Sequence, residues 1–341
     1  MHEALFYQRT EPDGVICGLC HHRCPIAAGK RGRCGVRENR GGQLVSLVYG
    51  RLVSQHIDPI EKKPLFHFLP GSRSLSIATV GCNFQCRHCQ NYQISQYPYL
   101  HDGEITGTVC SPQSVVDEAV RSDCASISYT YVEPTIFYEF AYDCARLARE
   151  QGIKNVFVSN GYMTPEAARH IAPFLDGINI DLKAFSEGFY QKVCKARLEP
   201  VLENIRLLHE LGVWVEVTTL IIPGLNDSED ELRSIARFLK GVSAEMPWHV
   251  SGFHPTYKML DRPATPVSIL QKAREIGLAE GLHFVYMGNV VGSGGEDTRC
   301  PGCGALLIHR LGFSSQPVAM AAGRCGTCSL PIAGVWDSIS P

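Results

Sequence analysis

Apolar and polar positions alternate in a regular way from Ser74 onward, where short apolar runs are separated by longer amphipathic stretches. The runs are rich in β-branched residues and predict strands at 75–80, 126–131, 154–159, 177–182, 213–222 and 248–254, with a further candidate at 283–289. The stretches between them predict helices near 112–122, 135–151, 164–174, 198–212, 228–240 and 266–281. Ser111-Pro112, Thr164-Pro165 and Asp227-Ser228 stand where N-caps are expected.

This alternation of strands and helices predicts an α/β fold whose parallel strands are joined by right-handed crossovers. A doubly wound sheet and a full or partial TIM barrel, (β/α)6, both satisfy it, and both place the chemistry beyond the C-terminal ends of the strands. No Gly-x-Gly-x-x-Gly turn follows the first strand, which weakens the dinucleotide-binding version.

Three parts are predicted along the chain. Residues 1–70 form a cysteine-rich metal-binding segment, residues 71–292 form the core barrel, and residues 293–341 form a small module after a linker at Ser293-Gly294-Gly295.

Composition excludes several classes of protein. The 341 residues are 45% hydrophobic and 19% charged, which is typical of a globular protein and not of a disordered one. The net charge of −2 gives no overall attraction to nucleic acid or acidic lipid. We see neither a secretory leader nor an apolar run of about 18 residues that would suit a membrane span. We therefore expect a cytoplasmic protein that does not interact with membranes.

The fifteen cysteines are the unusual feature of the composition. Eleven of them fall into three tight groups: Cys17, Cys20, Cys24 and Cys34; Cys82, Cys86 and Cys89; and Cys300, Cys303, Cys325 and Cys328. In a long chain with an odd cysteine count and no export signal, such groups indicate metal ligands and not disulfides.

The central group, Cys82-x3-Cys86-x2-Cys89, directly follows the first predicted strand. Three thiolates can hold three irons of a 4Fe-4S cluster and leave the fourth iron open to another molecule. Structural zinc sites and ferredoxin clusters have four protein ligands. The spacing therefore predicts a cluster that binds a substrate or cofactor.

With this motif the chain resembles the radical S-adenosylmethionine (SAM) superfamily. The resemblance implies that SAM binds the open iron and that the reduced cluster cleaves SAM to a 5′-deoxyadenosyl radical, which abstracts hydrogen from a substrate. It also implies a reductant such as flavodoxin or ferredoxin. His88 departs from the family pattern, which usually has another aromatic residue beside adenine.

Residues at the ends of later strands are similar to cofactor-binding elements of the glycyl-radical activating enzymes in this superfamily. Glu133-Pro134 is similar to the end of a Gly-Gly-Glu-Pro element, although both glycines are replaced. The resemblance assigns cofactor contacts to Glu133, Ser159, Asn160, Asp181 and His254.

The flanking cysteine groups predict two further metal sites. Cys300, Cys303, Cys325 and Cys328 form two knuckles, which is typical of a zinc ribbon, although a rubredoxin-like iron site has the same spacing. The N-terminal four cysteines fit either zinc or a second iron–sulfur cluster, and we favour zinc. Basic residues surround Cys34, and we interpret them as a solvated turn, with an anionic substrate contact as the alternative.

Over its whole length the chain resembles the radical SAM enzyme of the AmmeMemoRadiSam system, through HEALFY, CGLCHHRC, RGRCGVREN, LVYG, DPIEKKPLFHFLPG, DLKAF and GVW. That family is related to pyruvate formate-lyase activating enzymes, and its members typically lie beside Memo-like and AMMECR-like proteins, which are therefore candidate partners. The substrate stays open between a small molecule and a glycine of another protein, and a role of Cys194 as a hydrogen donor stays open as well.

The rival hypothesis is a non-catalytic zinc protein that binds nucleic acid or a partner, but basic residues in the last module are too few to favour nucleic acid.

Overall fold

The N-terminal segment forms two small antiparallel sheets and one strand of the main sheet. The computed structural model describes residues 2–290, 292 and 294–336, so Ser293 of the expected linker and the last five residues of the expected C-terminal module lie outside the described residues. The strands of this segment are β1 (His2–Glu3), β2 (Tyr7–Thr10), β3 (Gly14–Cys17), β4 (Pro25–Ile26), β5 (Arg37–Arg40), β6 (Gln43–Ser46), β7 (Arg51–Leu52) and β8 (Ser54–Pro59). The small sheets have the strand orders β1-β6-β5 and β2-β3-β4.

The main sheet contains seven parallel strands and β8, which pairs antiparallel with the first of them. The parallel strands are β9 (Arg73–Ala78), β11 (Ser126–Tyr129), β12 (Lys154–Ser159), β13 (Gly177–Asp181), β14 (Trp214–Ile221), β15 (Trp248–Gly252) and β16 (Val285–Gly288). The short strand β10 (Thr108–Val109) lies between β9 and β11 in the chain and pairs with β7 outside this sheet. They lie side by side in chain order. A doubly wound sheet would reverse its order at a switch point, so this order confirms the partial barrel. Within the described residues no ladder joins β16 to β8, and the barrel is open between them.

The predicted helices follow the strands as expected. The α-helices are α1 (Tyr92–Ser95), α2 (Tyr97–Leu100), α3 (Pro112–Arg121), α4 (Tyr138–Glu150), α5 (Pro165–Ile171), α6 (Glu187–Phe189), α7 (Glu199–Glu210), α8 (Glu229–Val242) and α9 (Val267–Ala279). Ser111 and Ser228 cap α3 and α8 by accepting from the amides of Ser114 and Glu231. Thr164 precedes α5 but does not cap it, because its hydroxyl donates to the Gly18 carbonyl at 2.8 Å.

The C-terminal module packs against the open side of the barrel. Its strands are β17 (Thr298–Arg299), β18 (Leu306–Leu311), β19 (Ser314–Pro317), β20 (Met320–Ala321) and β21 (Arg324–Cys325). Leu307 and Ile308 share an apolar cluster with Phe66, Phe284 and Tyr286.

Arg310 of β18 fixes this module to the segment that precedes β9. The buried guanidinium donates to the Phe66 carbonyl at 2.7 Å and to Thr298 Oγ1 at 2.7 Å, and it lies 3.9 Å from the Glu61 carboxylate. The module and residues 60–69 therefore meet across the gap between β8 and β16. In the part of the chain that the structure describes, no helix is long and apolar enough to cross a membrane.

Candidate active site

A cavity of about 460 Å³ opens at the C-terminal ends of the parallel strands and extends into the barrel. Every strand from β11 to β16, or the loop that follows it, contributes to its wall. The C-terminal module contributes Glu296, Gly312 and Phe313, and the segment before β9 contributes Glu61, Lys62 and Phe66. The cavity lining also includes seven of the sequence-predicted site residues: Cys82, Cys86, Cys89, Glu133, Ser159, Asn160 and Asp181.

The loop after β9 brings the three central cysteines to this cavity. Gly81 begins the loop with φ of +99°, and a Cβ atom there would meet the Cys34 carbonyl oxygen at 2.9 Å. Glycine is therefore required where the loop passes the N-terminal segment. Cys82 Sγ accepts from the Phe84 amide at 3.4 Å, and Cys89 Sγ lies 3.2 Å from Ser95 Oγ. Three thiols on one wall, with no fourth cysteine among the described lining residues, fit a cluster with one open coordination position.

Cys194 lies behind Cys86 and not in the cavity wall. It ends a π-helical turn, Tyr190–Cys194, and its thiol lies beside the Cys86 thiol. The same turn holds the loop backbone, because the amides of Gln85 and Arg87 donate to the carbonyls of Cys194 and Val193 at 3.1 and 3.0 Å. Single π-helical turns often occur at functional sites, and this one fixes the middle of the three-cysteine loop.

Glu133 forms the centre of a buried hydrogen-bond network. Its Oε1 accepts from the Thr135 amide at 3.1 Å, the Thr135 hydroxyl at 2.5 Å and Ser159 Oγ at 2.8 Å. Among the described residues, its Oε2 accepts only from the Asn160 amide, at 2.7 Å. Burial raises the pKa of Glu133, and these donors oppose the increase. Oε2 therefore retains acceptor capacity toward a donor in the cavity.

The turn before Glu133 has the backbone that a glycine would favour. Tyr131 has a φ of +62°, which a bulky residue rarely adopts. Its carbonyl accepts from Asn91 Nδ2 at 2.8 Å, and its hydroxyl donates to Asp58. The replacement of glycine by Tyr131 therefore keeps the turn and adds a contact to β8.

Two charged residues of the cavity wall, the largely buried Lys183 and the more exposed Asp181, pair at the end of β13. Lys183 Nζ donates to Asp181 Oδ2 at 2.8 Å. Burial works against its charge, but Asp181 and the nearby thiols hold the pKa of Lys183 well above its ordinary value. Next to this pair, burial lowers the pKa of His88 to about 3, so its imidazole is neutral, and its buried Nδ1 has no partner among the described residues. A flat neutral ring with a free nitrogen is suited to a purine.

His254 is not brought to the site. β15 ends at Gly252, and Phe253 turns into the core with its amide bound to Thr265 Oγ1. His254 is left exposed outside the cavity lining.

A histidine from the interior of β15, His249, lines the cavity beside the expected His88, and the sequence analysis did not single it out. His249 Nε2 donates to Glu216 Oε2 at 2.7 Å. Burial would raise the pKa of Glu216, but His249 and further donors hold it below the ordinary value. The sequence did contain a signal for this pair, because Glu216 lies within the apolar strand run VWVEVTTLII and a buried charge requires a partner.

The four N-terminal cysteines converge beside the central loop. Cys17, Cys20, Cys24 and Cys34 all line one small internal cavity, together with Arg37 and Asn83. His22 Nε2 donates to the Asn83 carbonyl at 2.8 Å. The position after Cys82 therefore contacts both cysteine groups.

The C-terminal four cysteines form a compact group. Cys300 Sγ lies 3.6 Å from Cys328 Sγ, Cys303 Sγ lies 3.6 Å from Cys325 Sγ, and all four sulfur atoms lie within 4.8 Å of one another. Four converging thiols suit one tetrahedral metal ion.

Comparison with known proteins places this geometry in a family. Residues 76–239 match the profile of the Radical SAM superfamily. The chain is 47% identical over 331 residues to the uncharacterized protein MJ0808 of Methanocaldococcus jannaschii, covering 96% of this chain and 98% of that protein. It is 22% identical over 222 residues to the pyruvate formate-lyase-activating enzyme of Clostridium pasteurianum, covering 62% of this chain and 91% of that enzyme. The fold is similar to that of a radical SAM methyltransferase from Sphaerobacter thermophilus, with a TM-score of 0.51, 18% identity, and coverage of 70% and 71%.

Proposed function

The chain belongs to the radical SAM superfamily and is related to the activating enzymes within it, and on this premise we propose that it is an enzyme that reductively cleaves SAM and abstracts hydrogen from a substrate inside the barrel. The observation that supports this proposal most directly is the wall of three thiols, which faces a cavity large enough for a nucleotide.

We assign the cluster to Cys82, Cys86 and Cys89. When bound there, a 4Fe-4S cluster supplies one electron to SAM, which breaks the C5′–S bond and gives methionine and a 5′-deoxyadenosyl radical. The chain contributes the positioning, because the π-helical turn at Tyr190–Cys194 accepts hydrogen bonds from the amides of Gln85 and Arg87 and so holds the loop on both sides of Cys86.

The strand-end residues are proposed to orient SAM. Glu133 Oε2 offers an acceptor for the methionyl ammonium, because it has a single donor in the part of the chain that the structure describes. Asn160 is held by its Nδ2, which donates to Asn83 Oδ1 at 2.7 Å, so it is fixed between the cofactor wall and the cysteine loop. Asp181 and Lys183 offer groups to the ribose and carboxylate, and His88 offers a face to adenine.

The covered side of the barrel favours a small-molecule substrate. Residues 60–69 and the C-terminal module meet across the gap between β8 and β16, and both line the cavity, so they narrow its opening on that side. His249, whose Nδ1 has no protein partner in the described part of the chain, and Thr218 line the inner half of the cavity and offer hydrogen bonds to a polar molecule.

Activation of a glycyl-radical enzyme is the second candidate function, because the similar protein of Clostridium pasteurianum is a pyruvate formate-lyase-activating enzyme. We further propose a cytoplasmic location, a flavodoxin or ferredoxin as reductant, and Memo-like and AMMECR-like proteins as partners. Co-purification with each tests these partners.

The deciding experiment measures 5′-deoxyadenosine formed from SAM by anaerobically reconstituted protein with dithionite. We expect Cys86→Ala to abolish the product while zinc content and the far-UV spectrum stay unchanged. The matched control is Cys110→Ala, which changes a cysteine outside all three groups and should leave the product unchanged. Product formation by Cys86→Ala at the wild-type rate would overturn the assignment of the cluster to these cysteines, and absence of product from the reconstituted wild type would favour the non-catalytic zinc protein.

A further inference from the structure

We propose that the N-terminal four-cysteine group binds a second iron–sulfur cluster, and that this cluster passes electrons from an acidic redox protein to the central one. The metal assignment depends only on the geometry of this group. The electron route also rests on the proposed function.

The spacing of the thiols is the first argument. Four thiolates around one zinc ion lie about 3.8 Å apart, given a Zn–S distance of about 2.3 Å and tetrahedral geometry. The C-terminal group meets this condition, with two sulfur pairs at 3.6 Å. The N-terminal four cysteines, all of which the structure describes, do not form a convergent group of this kind. They instead surround a common cavity. An iron–sulfide core would occupy such a space between the thiolates.

A buried cation at the same cavity is the second argument. Arg37 is 1% exposed and lines the cavity with the four cysteines. Its Nη1 pairs with Glu139 at 2.9 Å and its Nη2 donates to the Leu5 carbonyl at 2.6 Å, but its buried Nε has no hydrogen-bond partner among the described residues. An unused N–H of this kind is costly to bury. An anionic thiolate cluster would supply the acceptor and the opposite charge.

Contact with the central loop is the third argument. Asn83 lines the N-terminal cavity, follows Cys82 directly, and has a buried Nδ2 without a partner in the described part of the chain. The Cys34 carbonyl packs against Gly81 so closely that a Cβ atom would approach it to 2.9 Å. The two cysteine groups are therefore separated by one layer of backbone around residues 81–83, which is a short route for an electron.

The surface beside the N-terminal group indicates the donor. A shallow pocket there is lined by Cys24, Arg31, Arg33 and Gln85. Arg33 and the neighbouring Lys30 are exposed, and Arg31, also exposed, pairs with Glu38 at 2.9 Å, so Arg33 and Lys30 carry the positive charge of this surface. A positive surface next to a redox centre attracts an acidic partner and accelerates its docking. In each transfer the reduced flavodoxin or ferredoxin loses one electron, the N-terminal cluster gains it, and the central cluster then receives it.

Metal analysis of the full-length protein after anaerobic reconstitution tests the assignment. We expect about eight irons and one zinc per chain in the wild type, and about four irons in Cys82→Ala/Cys86→Ala/Cys89→Ala, with an electron paramagnetic resonance signal after reduction. Cys24→Ser/Cys34→Ser should retain the other four irons. A triple variant with no iron and two zinc ions would overturn the proposal. Because this variant lacks the central cluster, its iron content is informative even if the protein proves unable to cleave SAM.

The electron route is tested with Arg33→Glu. We expect reduction by flavodoxin to slow about tenfold at low salt and by less at high salt, while reduction by dithionite is unchanged. Lys240→Glu on α8, on another face, is the matched control and should have no effect. Equal slowing with dithionite, or no slowing with flavodoxin, would overturn the docking surface.

Discussion

Glu133→Gln changes one oxygen of the central carboxylate and tests whether it binds the cofactor. The amide oxygen of the new side chain is expected at the Oε1 position, where three protein donors converge. The amide nitrogen then replaces Oε2 and faces the Asn160 N–H, which now has no acceptor. Two donors therefore meet in a buried place, and the cavity loses its charged acceptor.

The size of the effect follows from these contacts. An unsatisfied buried N–H costs about 1–3 kcal/mol, and a hydrogen bond to a charged group contributes about 1.5–3 kcal/mol. Burial raises the pKa of Glu133, which means that the buried charge is itself unfavourable. Removal of this charge therefore offsets part of the cost of the unsatisfied Asn160 N–H. We expect a loss of about 1–2 kcal/mol in the free energy of unfolding and, from the lost ammonium contact, a SAM dissociation constant raised about 10- to 100-fold.

Two measurements separate the structural effect from the binding effect. Urea unfolding gives the change in stability, and equilibrium dialysis of SAM against anaerobically reconstituted protein gives the dissociation constant. The control is Glu275→Gln, an exposed glutamate of α9, which should change neither. Because the raised pKa means that Glu133 protonates more easily in the folded protein, the wild type and the variant should converge in SAM affinity as the pH falls. Destabilisation with an unchanged dissociation constant would refute the cofactor contact and leave only a structural role.

Three further predictions concern the rest of the molecule. Arg310→Met should lower the free energy of unfolding by about 3–5 kcal/mol, because it leaves the buried Glu61 carboxylate without its cation, and urea titration should show partial recovery in the Glu61→Gln/Arg310→Met double variant. Cys325→Ser should remove one zinc ion and lower the melting temperature while iron content, measured on the same sample, stays constant. Burial lowers the pKa of His67 to about 4, so the unfolded chain takes up a proton below pH 6.5 that the folded protein does not. Stability should therefore fall between pH 6.5 and 4 by up to about 3 kcal/mol, and His67→Gln should flatten this part of the unfolding profile.

The sequence predicted the parallel strands well and missed the antiparallel one. β12 has the predicted bounds, 154–159, because a β-branched run is flanked there by polar residues. The run at 283–289 became β16, which made seven parallel strands instead of six. β8, with the sequence SQHIDP, has mostly exposed side chains and no apolar alternation. An edge strand of this composition leaves no signal, since its pairing with β9 is made by backbone groups.

The site was predictable where it depends on strand ends and not where it depends on turns or strand interiors. Asp181 and Ser159 stand at the last positions of β13 and β12, so parallel pairing alone brings them to one edge. His254 follows β15 by two residues, and the direction of the chain after Gly252 depends on the burial of Phe253, which is a tertiary effect. His249 lies within β15, and its side chain is oriented by the hydrogen bond to Glu216 of β14, which is distant in the sequence. The sequence around His249 therefore does not show that this side chain faces the cavity.

The two flanking parts are therefore components of the site and not appendages. The N-terminal segment packs against the loop before Cys82 and supplies Asp58, to which Tyr131 donates from the turn before Glu133. The C-terminal module supplies Arg310, which binds the segment that covers the open side of the barrel. A metal bound in either flanking group contributes free energy to folding. Loss of that metal would therefore change the walls of the cavity as well as the stability of the part that binds it.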